Sequence, residues 1–145
     1  MNDYPLVNFH FRVTGGGGGI DMQFQSVSGL NTQLQTESWK EGGEHRFEHT
    51  IPVRVKYSDL VLKRGVVQSG SSELTKWFKN AFENFQFEPK ELLVELLGED
   101  HKPLVYWKVV HALPKNWKLD DFNAESGKIL IETMELSYNY FEIKR

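Results

Sequence analysis

The segment His45 to His49 carries the side chains most suggestive of chemistry, because its letters HRFEH match the inverted zinc-protease motif H-x-x-E-H. That chemistry requires both imidazoles one helical turn apart, on a single metal ion. The segment is not typical of a helix, because two glycines precede it and every second residue from Ile51 to Val55 is apolar, as in a strand. On a strand the two histidines stand about 13 Å apart. We therefore expect no metal here.

Other patterns also fall short of a catalytic site. The five glycines Gly15 to Gly19 lack the Gly-Lys-Ser/Thr and the following helix of a phosphate-binding loop. The acidic pairs at 99–100 and 120–121 are adjacent in turns, without the separation across a cleft that glycosidic carboxylates need. Ser69 to Ser72 precedes a helix but lacks G-x-S-x-G. We expect no catalytic residue, no enzyme activity and no cofactor.

Composition favours one domain over residues 1–145. The chain has 39% hydrophobic residues, no cysteine and a formal net charge of -3, which gives no general attraction to nucleic acid. The absence of cysteine fits synthesis in a reducing cytoplasm. The first residues show neither a basic region nor an apolar core of a signal peptide, and no segment approaches the ~18 apolar residues of a membrane helix. We expect no membrane insertion.

Alternation of apolar and polar residues predicts a series of strands separated by turns. The predicted strands cover residues 7–13, 21–27, 32–40, 47–56, 60–66, 92–97, 104–110 and 128–141, with an irregular connection over 114–127. Because Pro52 has no N–H to donate to a ladder, we expect its strand to be an edge or to be bulged there.

One helix is predicted after Gly70. Its apolar stripe, interpreted as core packing, is formed by Leu74, Trp77, Phe78, Ala81, Phe82 and Phe85. Ser72 is the expected N-cap, and Pro89 prevents continuation beyond Glu88. About eight strands and one helix predict a mainly β fold, a small barrel or sandwich with the helix on its side or end.

A charged hairpin lies between Ser38 and Val67. Its tip, Glu41 to Glu44, places two glycines between acidic residues, and the flanking residues alternate as half-buried strands do. Basic residues follow at Lys63 and Arg64. We expect this projecting hairpin to contact another surface.

A series of short segments spans nearly the whole chain in a characteristic order. They are Tyr4-Pro5 with Phe9 to Val13, Phe24 to Leu30, Glu41 to Glu44, Leu60 to Gly65, Trp77, Pro103 with Trp107, Ala112 with Pro114, and Ile131 to Tyr138. Together they resemble the inner tail-tube protein of phage-tail-like contractile injection systems. That family is similar to the long-tailed phage tube protein and, more remotely, to the hemolysin-coregulated tube protein of type VI secretion. The repetitive insert Gly15 to Gly19 departs from its pattern.

The resemblance implies a structural protein of tail-tube fold. Hexameric rings would stack into a rigid hollow tube inside a contractile sheath, as part of a phage tail or an extracellular injection particle. The implied partners are other copies of the chain, the sheath protein, and baseplate, spike and terminator proteins, with cargo in the lumen and nucleic acid only in a phage tail. For ring stacking we expect a contact between neighbours formed by Glu41, Gly42, Gly43, Glu44, His45, Lys63 and Arg64.

A binding module is the alternative from a different class. In that hypothesis the chain is a monomeric β-sandwich whose Trp39, Trp107 and Trp117 stack on a carbohydrate or small ligand. The two hypotheses differ in oligomeric state, which size-exclusion chromatography with light scattering measures.

Overall fold

The computed structural model describes residues 10–15, 20–40, 42–43, 46–65, 73–100, 102–119 and 131–144. For residues 20–23 it describes the backbone alone. The described residues form ten strands and one helix. In chain order they are β1 (His10–Thr14), β2 (Ile20–Phe24), β3 (Ser26–Ser28), β4 (Thr32–Trp39), β5 (His49–Tyr57), β6 (Leu60–Gly65), α1 (Glu73–Glu83), β7 (Lys90–Leu97), β8 (Pro103–Leu119), β9 (Ile131–Ser137) and β10 (Tyr140–Lys144). No helix among the described residues is long and apolar enough to cross a membrane.

The main sheet is antiparallel and closes on itself. Its strand order is β2-β1-β7-β8-β9-β6-β3, with β10 also paired to β8. The two end strands, β2 and β3, are separated by Gln25 alone, whose N–H donates to the carbonyl of Lys63 at 2.9 Å. The prediction of a single strand over residues 21–27 is therefore wrong. The chain bends at Gln25, so that β2 pairs with β1 and β3 pairs with β6. The result is the small barrel that the strand count predicts.

Strand β8 is much longer than expected. Its first half pairs with β7 and its second half with β9, so one strand serves both sides of the barrel. The irregular connection predicted from Pro114 onward is wrong as far as Leu119. Two register shifts, one beside His111 with φ of 59° and one between Pro114 and Asn116, absorb the residues that break the alternation. Residues 120–127 lie outside the described part.

The closing strand predicted over 128–141 is interrupted. β9 and β10 both pair with β8, and between them Asn139 donates its N–H to the carbonyl of Val110. Residues 128–130, like residues 7–9 and Val66 of the other predicted strands, lie outside the described part. Predicted strands 32–40, 47–56 and 92–97 correspond to β4, β5 and β7.

The core lies inside the barrel and under α1. Its buried members are Val13, Phe24, Leu60, Leu62, Leu74, Trp77, Phe78, Leu92, Val94, Val109, Ala112, Met134 and Leu136. The helix contributes its first two turns, as predicted, but Phe82 is 44% exposed and Phe85 is 83% exposed. The predicted stripe fails at Phe85 because α1 ends at Glu83, so the helical spacing does not extend to that residue. Ser72, the predicted N-cap, lies outside the described part.

The hairpin of β4 and β5 leaves the barrel where two backbones cross. Gly29 has φ of +90°, and a Cβ added there would lie 1.7 Å from the carbonyl oxygen of Asp59. The hydroxyl of Tyr138 donates to the carbonyl of Gly29 at 3.1 Å. Burial raises the pKa of Tyr138 to about 12, so the phenol keeps its proton in mildly alkaline solution as well. Only glycine fits this crossing.

We predict that Gly29→Ala lowers the free energy of unfolding by more than ~2 kcal/mol, since the methyl group meets backbone and the left-handed conformation is unfavourable for alanine. Two other glycines separate the causes. Gly43 has φ of +89° and an added Cβ there would meet no atom within 4 Å, whereas Gly42 has neither a positive φ in the left-handed range nor a near contact. Chemical denaturation should rank the losses as Gly29→Ala, then Gly43→Ala, then Gly42→Ala near zero. Equal losses at the three positions would contradict the crossing.

Candidate assembly surfaces

The β4–β5 hairpin is the largest feature outside the barrel. It forms a sheet of its own two strands, and within the described part of the chain no third strand pairs with it. Every residue of β4 is exposed, and the apolar residues Leu34, Ile51, Val53 and Val55 are 46–54% exposed. The predicted half-buried strands are thus not buried within the chain. Alternation of apolar and polar residues indicates that one face of a strand is covered. It does not indicate whether the same chain or another molecule covers that face.

A bulge shapes one face of this hairpin. Gln35 pairs with Arg54 and Thr36 pairs with Pro52, so Val53 is an extra residue in β5. The expected irregularity at Pro52 is confirmed. The bulge adjoins a concavity of about 450 Å³, and its lining residues are Gln33, Leu34, Gln35, Thr36, Glu37, Val53, Arg54 and Lys56. The hairpin therefore offers a shallow depression with an apolar part and a basic margin.

The hairpin tip was predicted to form the ring-stacking contact. Gly42 and Gly43 lie in a turn, whereas Glu41, Glu44 and His45 lie outside the described residues. His49 is in β5, with ring centroids 5.1 Å from Trp39 and 5.2 Å from Phe47. The strand predicted for His49 is confirmed. Among the described residues no three His, Asp or Glu side chains are grouped so that they could hold a metal ion.

Lys63 and Arg64 occupy opposite environments although they are neighbours in β6. Lys63 is exposed, whereas Arg64 is 2% exposed. Arg64 donates through Nε to Glu132 at 3.2 Å and through Nη2 to Thr75 at 3.0 Å, and its guanidinium lies 4.7 Å from the ring centroid of Phe24. The expectation that Arg64 offers a surface charge is therefore wrong. The alternation of β6 turns residue 64 inward, where Glu132 neutralises it.

The three tryptophans of the binding-module hypothesis do not form one platform. Trp39 is 54% exposed on the hairpin. Trp107 and Trp117 are half-buried against the core, and the indole of Trp117 donates to Glu132 at 2.7 Å. Two of the three thus serve packing and the buried ion pair, so they are not arranged to stack on a ligand with Trp39.

Sequence reasoning missed a second exposed apolar surface, just after α1. Phe82, Phe85 and Phe87 are 43–83% exposed, and the rings of Phe85 and Phe87 meet edge to face with centroids 5.0 Å apart. The predicted core stripe included Phe82 and Phe85, and their exposure shows that this part of the prediction is wrong.

We predict that Arg64→Met lowers the free energy of unfolding by about 3–5 kcal/mol, because it leaves the Glu132 carboxylate buried without its partner. The double variant Arg64→Met with Glu132→Gln should recover part of the loss, since glutamine is neutral and still accepts from Trp117. Denaturation of the four proteins of this double-mutant cycle measures the coupling. Additive losses would show that the pair does not interact.

Comparisons with known proteins identify a family and a shared fold. The profile of the family described as "T4-like virus tail tube protein gp19" matches residues 7–142. A comparison with curated protein sequences finds no match. A chain in the cryo-EM structure of the anti-feeding prophage baseplate, 6-fold symmetrised, is similar at 29% identity, with 99% of this chain and 97% of that chain covered and a TM-score of 0.81.

Two further structures extend the likeness. A chain of the sheath-tube complex of the PVC extracellular contractile injection system, in its extended state, is 26% identical over 98% of this chain and 93% of that chain, with a TM-score of 0.78. Hcp1 from Flavobacterium johnsoniae, at 20% identity over 92% and 94% of the two chains and a TM-score of 0.61, shares the fold. With a family profile that spans almost the whole chain, the protein belongs to the T4-like virus tail tube protein gp19 family.

Proposed function

We propose that the chain is a structural subunit of the rigid inner tube of a contractile injection particle or phage tail, in which rings of six copies stack into a hollow tube. The β4–β5 hairpin is the observation that carries the proposal. It keeps an apolar face and two strand edges uncovered in the described part of the chain. A hairpin of two strands has marginal stability in water, and a neighbouring copy would cover it.

Six copies are favoured by the relatives. The anti-feeding prophage structure is described as 6-fold symmetrised, and the chain covers nearly all of the relative found there. A closed ring uses one kind of contact between successive copies and leaves none unpaired. The subunit has a structural and not a catalytic role in this proposal.

The further partners follow from the complexes in which relatives occur. Their structures are described as a sheath-tube complex, a tube terminating cap and a sheath/tube terminator. We accordingly assign a sheath protein, a terminator and a baseplate as partners of this chain, in a phage tail-like or extracellular particle. A lumen wide enough for cargo belongs to the same proposal.

Ring stacking involves the hairpin tip in this proposal. Glu41, Gly42, Gly43, Glu44 and His45 would dock on the adjacent ring, where the exposed Lys63 is the basic partner within the chain's own surface. Arg64 is removed from this set, because Glu132 already holds its guanidinium. An exposed ion pair gives at most about 1 kcal/mol, so its repetition around the ring is needed for strength.

We predict that the purified protein forms closed rings of identical subunits. Size-exclusion chromatography with light scattering should give the mass of six chains, and negative-stain microscopy should show rings or tubes. Each contact between neighbours should bury at least ~800 Å² per partner. A strictly monomeric protein at high concentration and low salt would instead favour the binding module.

We also predict that Glu41→Lys with Glu44→Lys prevents tube growth and leaves single rings intact, because like charges would then meet at each ring junction. Reversal of Lys63 to Glu in the same chain should restore part of the growth. Glu99→Lys, in the turn between β7 and β8, is the matched control and should not affect tube length. Full-length tubes from the double variant at low salt would contradict the docking role of the tip.

A further inference from the structure

The β4–β5 hairpin joins the barrel through two short connections. Residues 29–31 lead from β3 into β4, and residues 58–59 lead from β5 into β6. Within the described part of the chain, the two hairpin strands pair with each other and with no third strand. Connections of a few residues are where hinge motion between two bodies occurs. The contacts at the base of the hairpin therefore decide whether it projects in one direction or swings.

Aromatic rings hold the returning connection. Tyr57, the last residue of β5, meets Phe141 with ring centroids 5.3 Å apart and Tyr138 with ring centroids 5.8 Å apart, both edge to face. The rings of Tyr138 and Phe141 lie 6.1 Å apart, so the three rings form a closed cluster. Edge-to-face pairs have a preferred geometry. The cluster thus fixes the direction of β5 relative to the barrel.

The hydroxyl of Tyr138 holds the outgoing connection. It donates to the carbonyl of Gly29 while the ring of the same residue contacts Tyr57, so one side chain contacts both connections. The hydroxyl remains a donor because burial raises the pKa of Tyr138 to about 12. On the returning side, the carboxylate of Asp59 accepts from the ammonium group of Lys115 and so ties that connection to β8.

The cluster links the hairpin to the core of the barrel. Tyr138 and Phe141 are partly buried and pack against the core residues. Tyr57 is likewise half-buried, and its ring reaches the barrel through those two rings. Removal of the Tyr57 ring therefore leaves the fully buried residues of the barrel in contact with one another. What it removes is the link between the barrel and the hairpin.

We propose that Tyr57, Tyr138, Phe141 and the ion pair of Asp59 with Lys115, which we call the hairpin root, hold the hairpin in one direction before a neighbouring copy binds it. The inference rests on the proposed ring assembly and names the residues that position its projecting surface. They are positioning residues, since they act through the hairpin. Preorganisation lowers the ordering cost of association. Because every copy of the ring repeats the contact, a swinging hairpin would weaken every junction.

Distances between two spin labels test the direction of the hairpin in the absence of a neighbour, since the chain has no cysteine of its own. Glu37→Cys labels β4, and Lys79→Cys labels an exposed position of α1. Pulsed electron paramagnetic resonance on the dilute monomer should give one narrow distance distribution. With Tyr57→Ser the distribution should become roughly twice as wide, because the hinge is released. Tyr57→Phe keeps the ring and should leave the width unchanged.

Two further variants serve as controls of the width. Tyr140→Ser is the matched control, because Tyr140 is a tyrosine of β10 that is 41% exposed, and it should leave the distribution narrow. Tyr138→Phe removes only the hydroxyl that binds Gly29, so it should broaden the distribution less than Tyr57→Ser does. If Tyr57→Ser does not fold, an unchanged width for Tyr138→Phe overturns the inference. A parent distribution as wide as that of Tyr57→Ser overturns it too.

Assembly of the unlabelled variants, followed by light scattering, is the second readout. The concentration needed for assembly should rise about tenfold for Tyr57→Ser and should be unchanged for Tyr57→Phe and Tyr140→Ser. A wider distribution with an unchanged assembly concentration would refute the positioning role, since the root would then serve only its own chain. A parent that forms rings but has a wide distribution refutes the hairpin root and leaves the assembly standing. A parent that is monomeric at every concentration refutes the proposed assembly, and the positioning role with it.

Discussion

The close approach of Gly29 and Asp59 is the constraint on which the shape of this subunit depends. Strands β3 and β6 are hydrogen-bonded neighbours in the barrel, and the chain between them contains the whole β4–β5 hairpin. Neighbouring strands leave no gap in the sheet, so the hairpin must leave the surface where β3 ends and β6 begins. Gly29 makes that exit possible because a side chain there would occupy the backbone of Asp59. The projection is thus a consequence of closing the barrel.

Local patterns predicted the strands well where one rule decided the outcome. The bulge near Pro52 follows from a missing N–H, and the first turns of α1 follow from helical spacing. The continuation of β8 beyond Pro114 could not be predicted, because it depends on register shifts against β7 and β9, which are distant in sequence. The bend at Gln25 was missed for the same reason. It is visible only when β1 and β6 are known as the two partners.

Two neighbouring basic residues of β6 illustrate a second limit of prediction from sequence. Lys63 and Arg64 look alike in the sequence, yet one faces water and the other contacts a glutamate 68 residues later in the chain. Burial of a charge costs several kcal/mol unless a partner is present. The partner, Glu132, lies directly opposite Arg64 in the pairing of β6 with β9. Only the three-dimensional register shows this, so the predicted stacking set contained one residue that the core already uses.

The exposed apolar residues explain why the sequence pattern predicts more buried strand and helix faces than the chain itself buries. Periodic apolar positions are selected wherever a face is covered, whether the cover is the same chain or another copy. Among the residues that the structure describes, six of the fourteen large exposed hydrophobics lie between residues 34 and 55, and three more lie between 82 and 87. Nine of them thus lie in the two segments that the barrel leaves outside, which is the distribution expected if those segments are covered by neighbours. Charge at their margins can set orientation, but exposed ion pairs are too weak to hold a ring. In the proposed ring, the apolar surfaces would therefore provide most of the association energy.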